Sequence, residues 1–239
     1  MNEDKLAVIT GGGTGIGAAT AEELAASGMK IVITGRRPAP LQQTVGRIQH
    51  KGGQAYAYPV DVSDWEAMRG FADEVLAKHG QVDLLIPNAA VHDVSKIAEG
   101  DPVWWKKLIE INVLGLFNTV RAFLPSMLAR GKGHVVVMSS VSGRVYYVDE
   151  AIYECSKHAQ VCFVECLRQE VTQKGIRVTI IEPGMVETPM IDNPFAQELK
   201  KSVTPLDARD CARLVRYIFE QPENCVINEV MLRPVKQLV

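Results

Sequence analysis

The sequence predicts an α/β protein: a three-layer, doubly wound fold around a seven-stranded parallel sheet. Three observations carry that expectation. Short β-branched runs alternate with helical stretches along the whole chain. Most of the runs are continuously apolar, as strands buried on both faces should be. The helical stretches are long enough to cross back over the sheet, so successive strands lie parallel with right-handed connections.

The predicted strands are Leu6–Thr10, Lys30–Thr34, Ala55–Val60, Val82–Ile86, His134–Met138, Arg177–Ile181 and Ile227–Leu232. The predicted helices are Gly15–Ser27, Leu41–Lys51, Asp64–His79, Pro102–Arg130, Ile152–Lys174 and Asp207–Gln221. Gly28 and Gly175 punctuate helix ends. Asp101-Pro102 reads as an N-cap followed by a first-turn proline. No linker, repeat or low-complexity tract divides the chain, so residues 1–239 are expected to form one domain.

Composition narrows the function. The 239 residues are 47% hydrophobic and 23% charged, ordinary for a globular chain with a core of its own. Twenty-six basic against 28 acidic residues give a net charge of −2, which argues against a nucleic-acid partner. No unbroken apolar run reaches about 18 residues, so no membrane span is expected. The polar, acidic start Met1-Asn2-Glu3-Asp4 is unlike a secretory signal. Five cysteines without a C-x-x-C spacing suggest reduced thiols and a cytoplasmic protein with no metal site.

Ligands of such sheets bind at the carboxyl ends of the strands, and the informative residues follow strands. After the first strand comes Thr10-Gly11-Gly12-Gly13-Thr14-Gly15-Ile16-Gly17. Glycines there let backbone approach a pyrophosphate at a helix N-terminus. Their spacing is G-x-x-x-G-x-G rather than G-x-G-x-x-G. The second strand ends at Gly35-Arg36-Arg37, with no carboxylate where an NAD site would hold the ribose. Guanidinium groups suit a 2′-phosphate, so the expected cofactor is NADP(H).

Tyr153 and Lys157 lie four residues apart near a helix start and share one face. A neighbouring ammonium is expected to lower the phenol pKa. Ser140 ends the fifth strand, where its hydroxyl can bond a substrate oxygen passing between carbonyl and alcohol. Asn112 sits within an apolar helix, so its amide needs partners, structural or a held water.

These pieces together resemble the short-chain dehydrogenase/reductase family, in its simple single-domain branch, over essentially the whole chain. The matching segments are Thr10–Gly17, Asp61-Val62, Asn88-Ala89-Ala90, Asn112, Ser139-Ser140, Tyr153-x-x-x-Lys157 and Pro183-Gly184-Met185-Val186-Glu187-Thr188. The resemblance implies a Rossmann fold and a Ser140-Tyr153-Lys157-Asn112 catalytic set. In it Tyr153 is the acid/base and Lys157 binds the nicotinamide ribose and lowers the tyrosine pKa. Ser140 polarises the carbonyl, and Asn112 holds a relay water. It further implies that Gly11, Gly13, Thr14, Gly15, Ile16, Gly17, Arg36, Arg37, Asp61, Val62, Asn88 and Ala89 bind the cofactor. Tyr153, Lys157, Pro183, Gly184, Val186 and Thr188 complete that set. The segment 227–234 resembles NADP-dependent reductases of hydroxy acids and assorted carbonyls. Ala90 stands where the family usually has glycine, which implies an ordinary backbone conformation there.

The implied activity is NADP(H)-dependent hydride transfer with a small carbonyl/alcohol substrate: a ketone, an aldehyde or a hydroxy acid. Two other readings stay open: a non-catalytic NADP-sensing regulator on the same fold, and an NAD-using dehydrogenase that oxidises alcohols. Substrate loops are expected at 91–100 and 142–152, with a closing flap at 185–205. Their candidate pocket residues are His92, Asp93, Val145, Tyr146, Tyr147, Glu150, Met190 and Phe195. Cys155 reads as a packing residue, Cys162 and Cys166 as core, and His158 as structural. Surplus apolar surface on helices 102–130 and 152–174 suggests a homodimer or homotetramer.

Overall fold

The structure, a computed structural model, describes residues 5–191 and 194–238, without the side chains of 194 and 195. The strands are β1 (Leu6–Thr10), β2 (Lys30–Gly35), β3 (Ala55–Pro59), β4 (Leu84–Ile86), β5 (Gly133–Met138), β6 (Ile176–Pro183), β7 (Val186–Glu187), β8 (Leu206–Asp207) and β9 (Glu229–Leu232). The helices are α1 (Gly15–Ala26), α2 (Pro38–His50), α3 (Trp65–His79), α4 (Pro102–Ile109), α5 (Gly115–Arg130), α6 (Ala151–Val171), α7 (Pro194–Leu199) and α8 (Ala208–Phe219). Seven strands pair in parallel, as the sequence predicts, and their order is β3-β2-β1-β4-β5-β6-β9.

Period-two alternation divides the core into two layers. Leu6 and Val8 of β1 face Phe71 of α3, Phe123 of α5 and Leu167 of α6. Ala7 and Ile9 face Leu24 of α1, Val45 of α2 and Val215 of α8. The central strands are mostly apolar because both faces are covered, although β5 and β6 also bury His134, Thr179 and Glu182. The edge strands β3 and β9 are partly exposed and carry polar positions. Chain direction across the sheet reverses between β1 and β4, which opens a crevice at their carboxyl ends.

Several element limits differ from expectation. β4 begins at Leu84 rather than Val82, and β9 begins at Glu229 rather than Ile227. α2 begins at Pro38, whose missing N–H costs nothing in a first turn. The expected single helix 102–130 contains a π-turn over Glu110–Leu114, around Asn112. This 102–130 run is the one described helix apolar and long enough, by composition, to cross a membrane; half of its most apolar window is buried in the fold. Val186–Glu187, within the expected flap, and Leu206–Asp207, just after it, form a small second parallel sheet that no sequence pattern announces.

Three cysteine readings are corrected. Cys155, Cys162 and Cys166 are exposed on α6, not packed in a core. The apolar stretch that suggested burial belongs to the opposite face of the helix, where Val164, Leu167 and Val171 meet the sheet.

Candidate active site

The glycine loop is shaped by close approach. A Cβ on Gly17 would lie 2.4 Å from the Gly11 carbonyl oxygen and 2.6 Å from Asn88 Nδ2. Gly11 adopts φ +68°, and a Cβ there would meet Asn88 and Ala89. Asn88 closes the same corner: Nδ2 donates to the Thr10 carbonyl at 2.9 Å, and its N–H donates to Thr10 Oγ1 at 3.0 Å. The cradle leads to the start of α1. Thr14 is the N-cap, yet it gives no side-chain cap bond, and no acid occupies the first turn. Free N–H groups and the positive end of the helix therefore face the crevice, the arrangement a pyrophosphate requires.

Gly11, Gly13, Thr14, Gly15, Ile16, Arg36, Arg37, Asp61, Val62, Asn88, Ala89 and Thr188 line this part of the cleft. Arg36 and Arg37 are exposed on its rim. Burial works against the charge on Asp61, but hydrogen bonds from Ser63, with Lys107 and Arg36 nearby, hold its carboxyl below the usual range. These residues fit a dinucleotide. Gly17 shapes the turn from behind and does not line the cleft.

A second cavity adjoins the first, sharing Asn88, Ala90 and Thr188. Ser140, Tyr153, Lys157, Pro183, Gly184 and Val186 line it. Ser140 leaves β5 in extended backbone, and its Oγ accepts from the Ser142 N–H at 3.1 Å, capping a single helical turn. Tyr153 and Lys157 stand on one face at the start of α6, both buried. Burial pushes the Tyr153 phenol well above its usual range; a hydrogen bond with Ser140 opposes the shift and the Glu150 charge adds to it. Burial lowers the Lys157 ammonium to about 7.

The expected effect of Lys157 on Tyr153 is corrected here. The ammonium lies 5.5 Å from the centre of the phenol ring and donates to the Ser139 carbonyl at 3.4 Å and Gln160 Oε1 at 3.2 Å. Desolvation outweighs any attraction of that ammonium, so the phenol keeps its proton.

Asn112 lies outside both cavities. Its side chain satisfies the structural alternative: Oδ1 accepts from the Val91 N–H, while Nδ2 donates to the Val91 carbonyl, each at 2.8 Å, and also to Ser156 Oγ at 3.1 Å. Its own carbonyl accepts from Gln160 Nε2 at 2.7 Å. Gln160 thus bridges Lys157 to Asn112, a link that sequence reasoning missed; a glutamine within the short apolar run Ala159–Val164 gave its only signal.

Among the candidate pocket residues, His92, Tyr147, Glu150 and Met190 line the second cavity. Asp93, Val145 and Tyr146 do not; Tyr146 is exposed and stacks on His158. The side chain of Phe195 lies outside the described residues. Gln237 was not foreseen: its Oε1 accepts from the Met185 N–H at 2.8 Å, bringing the segment after β9 to the cavity wall. Ala90 has no positive φ, as an alanine there requires. No cluster of potential metal ligands occurs among the described residues.

Comparison with known proteins agrees with this geometry. The family model described as short chain dehydrogenase matches residues 5–199. An uncharacterized oxidoreductase of Staphylococcus saprophyticus is 38% identical, over 98% of either chain. The crystal structure of a metagenomic short-chain oxidoreductase in complex with NADP superposes with a TM-score of 0.86, at 30% identity and 99% coverage of both chains. A short chain dehydrogenase/reductase from Burkholderia phymatum in complex with NAD gives 0.88, at 28% identity, covering 96% of this chain and 89% of that one. With the match spanning the dinucleotide crevice and the Tyr153 cavity alike, the chain belongs to the short-chain dehydrogenase family and is an oxidoreductase.

Proposed function

We propose that the protein is an NADP(H)-dependent reductase of small carbonyl compounds, working through Ser140, Tyr153 and Lys157 with Asn112 as a structural support. The observation that carries this reading is the Ser140–Tyr153 hydroxyl pair in a cavity that opens onto the dinucleotide crevice. NADPH, when bound, supplies the hydride that reaches the carbonyl carbon. Tyr153 donates its proton to the carbonyl oxygen, and Ser140 donates a hydrogen bond to the same oxygen, so an aldehyde or ketone leaves as an alcohol. A phenol that burial keeps protonated is the form reduction needs. Lys157 lies beside the phenol ring, bonded to Ser139 and Gln160, and would hold the nicotinamide ribose. Preference for NADP(H) over NAD(H) rests on Arg36 and Arg37 at the crevice rim.

The Tyr153→Phe variant tests the assignment. We expect its turnover to fall by about a thousandfold or more, as loss of a general acid implies, with NADPH binding, followed by fluorescence, nearly unchanged. Turnover within about tenfold of the native enzyme would remove Tyr153 from the chemistry. A protein that bound NADPH but consumed none with any carbonyl would instead be a sensor.

A further inference from the structure

We propose that the preferred substrate carries a positive charge close to its carbonyl, so that the substrate class is small ammonium-bearing aldehydes and ketones. The proposal rests on the hydride-transfer reading above and names the substrate of that site. Glu150 is its centre. This residue is the N-cap of α6, three positions before Tyr153, and it lines the substrate cavity while only 5% exposed.

A carboxylate taken out of water needs a charge partner. Two of the cations nearby are engaged elsewhere, while Arg233 acts on Tyr147 from outside the cavity lining. Lys157 is turned toward Ser139 and Gln160. Arg144 pairs with Glu182 at 2.8 Å and Glu229 at 2.7 Å. The described side-chain partner of Glu150 is a histidine, His92, with Nε2 at 3.2 Å, rather than a lysine or arginine. A second buried carboxylate, Glu154, accepts from the Tyr147 N–H beside it. The Glu150 charge raises the pKa values of Tyr147, Tyr153 and Glu154, so its field extends from the cavity wall to the reacting phenol.

The rest of the wall suits a soft cation. The His92 ring stands edge-on to Tyr153 at 4.5 Å between centres, and Tyr147 lines the same space. Such faces attract alkylammonium groups, and Met185 and Met190 give polarisable apolar contact. A substrate carboxylate would meet Glu150, and no arginine lines the cavity to receive it, which disfavours hydroxy acids.

Two isosteric aldehydes make the test: trimethylammonioacetaldehyde and its carbon analogue 3,3-dimethylbutanal. The ammonium also activates the carbonyl, so the diagnostic quantity is how the ratio of their kcat/KM values changes between the native enzyme and Glu150→Gln. We expect the ratio to fall at least tenfold in the variant, while a change within twofold would overturn the proposal. Should the variant fail to fold, the native enzyme answers alone. Inhibition of 3,3-dimethylbutanal reduction by 2-(trimethylammonio)ethanol should be at least tenfold stronger than by 3,3-dimethylbutan-1-ol. Equal or weaker inhibition by the cation means that His92 already neutralises Glu150, and the proposal falls. Reduction of neutral aldehydes without cation preference sinks this proposal alone; failure to reduce any carbonyl sinks the hydride-transfer reading with it.

Discussion

A buried phenol and a buried ammonium are each pushed toward neutrality by the same desolvation, and at this site the push exceeds their mutual attraction. Tyr153 therefore begins as a proton donor, and Lys157 sits near the midpoint of its titration at about pH 7. The residue pattern Tyr-x-x-x-Lys made the pair legible, but not the balance between burial and charge, which depends on what surrounds them. Arg36 is the opposite case, an exposed group whose value appears when a phosphate arrives. An exposed charge-assisted bond contributes on the order of 1–2 kcal/mol, or about tenfold in affinity. Replacing Arg36 with Ala should lower kcat/KM for NADPH by about that factor and leave the value for NADH within twofold. Steady-state kinetics with both cofactors checks this, and equal losses with the two would show that Arg36 reads no phosphate.

At the scale of elements, the π-turn at Glu110–Leu114 sets Asn112 against the loop after β4. An asparagine between Ile111 and Val113 in an apolar stretch showed that something polar was buried. It did not show that the partner would be the backbone of Val91. That contact lies 21 residues away and depends on how the helix crosses the sheet. The strands and the glycine turn were legible because their signals are local: apolar runs, and glycines at one strand end. The small β7–β8 sheet and the Gln237 contact were not, since each joins segments without periodicity. Replacing Asn112 with Ala leaves the Val91 N–H and carbonyl and the Ser156 hydroxyl short of partners. The expected loss is about 2–4 kcal/mol of stability, measured by urea unfolding; a loss below about 1 kcal/mol would mean that water replaces the amide freely. A related expectation concerns α5 and α6. Leu114 is 45% exposed, and Cys155, Cys162 and Cys166 are exposed on α6. A second copy covering this face would protect those thiols, so we expect a dimer or tetramer by light scattering at micromolar concentration, with slow thiol labelling that quickens on dilution. A monomer with freely reactive thiols would refute it.

Across the whole molecule, the sheet that positions the site also holds a titratable group in its centre. His134 lies fully buried on β5, beside Thr179 of β6. Thr179 Oγ1 donates to the Ile227 carbonyl at 2.6 Å, so its contact with His134 Nε2 at 2.8 Å must be an N–H donated by the ring. Nδ1 is then the proton-free nitrogen, buried without a described partner. Adding a proton there would create a charge with no acceptor, and burial, with Arg177 nearby, lowers the pKa from 6.5 to about 3. The sign follows directly. Between those two values the unfolded chain binds a proton that the native chain refuses, so stability rises with pH through this window and is lost as pH falls from 6.5 toward 3. The full span is worth on the order of 5 kcal/mol. Carboxylates paired in the native state act in the same direction, so the native protein alone cannot isolate the histidine. His134→Leu removes the titration and keeps an apolar group of similar size between the strands. Its stability should decline less between pH 7 and pH 4 than that of the native protein, as read from urea midpoints at each pH. Parallel declines in the two proteins would show that the ring takes up its proton in the folded sheet without penalty.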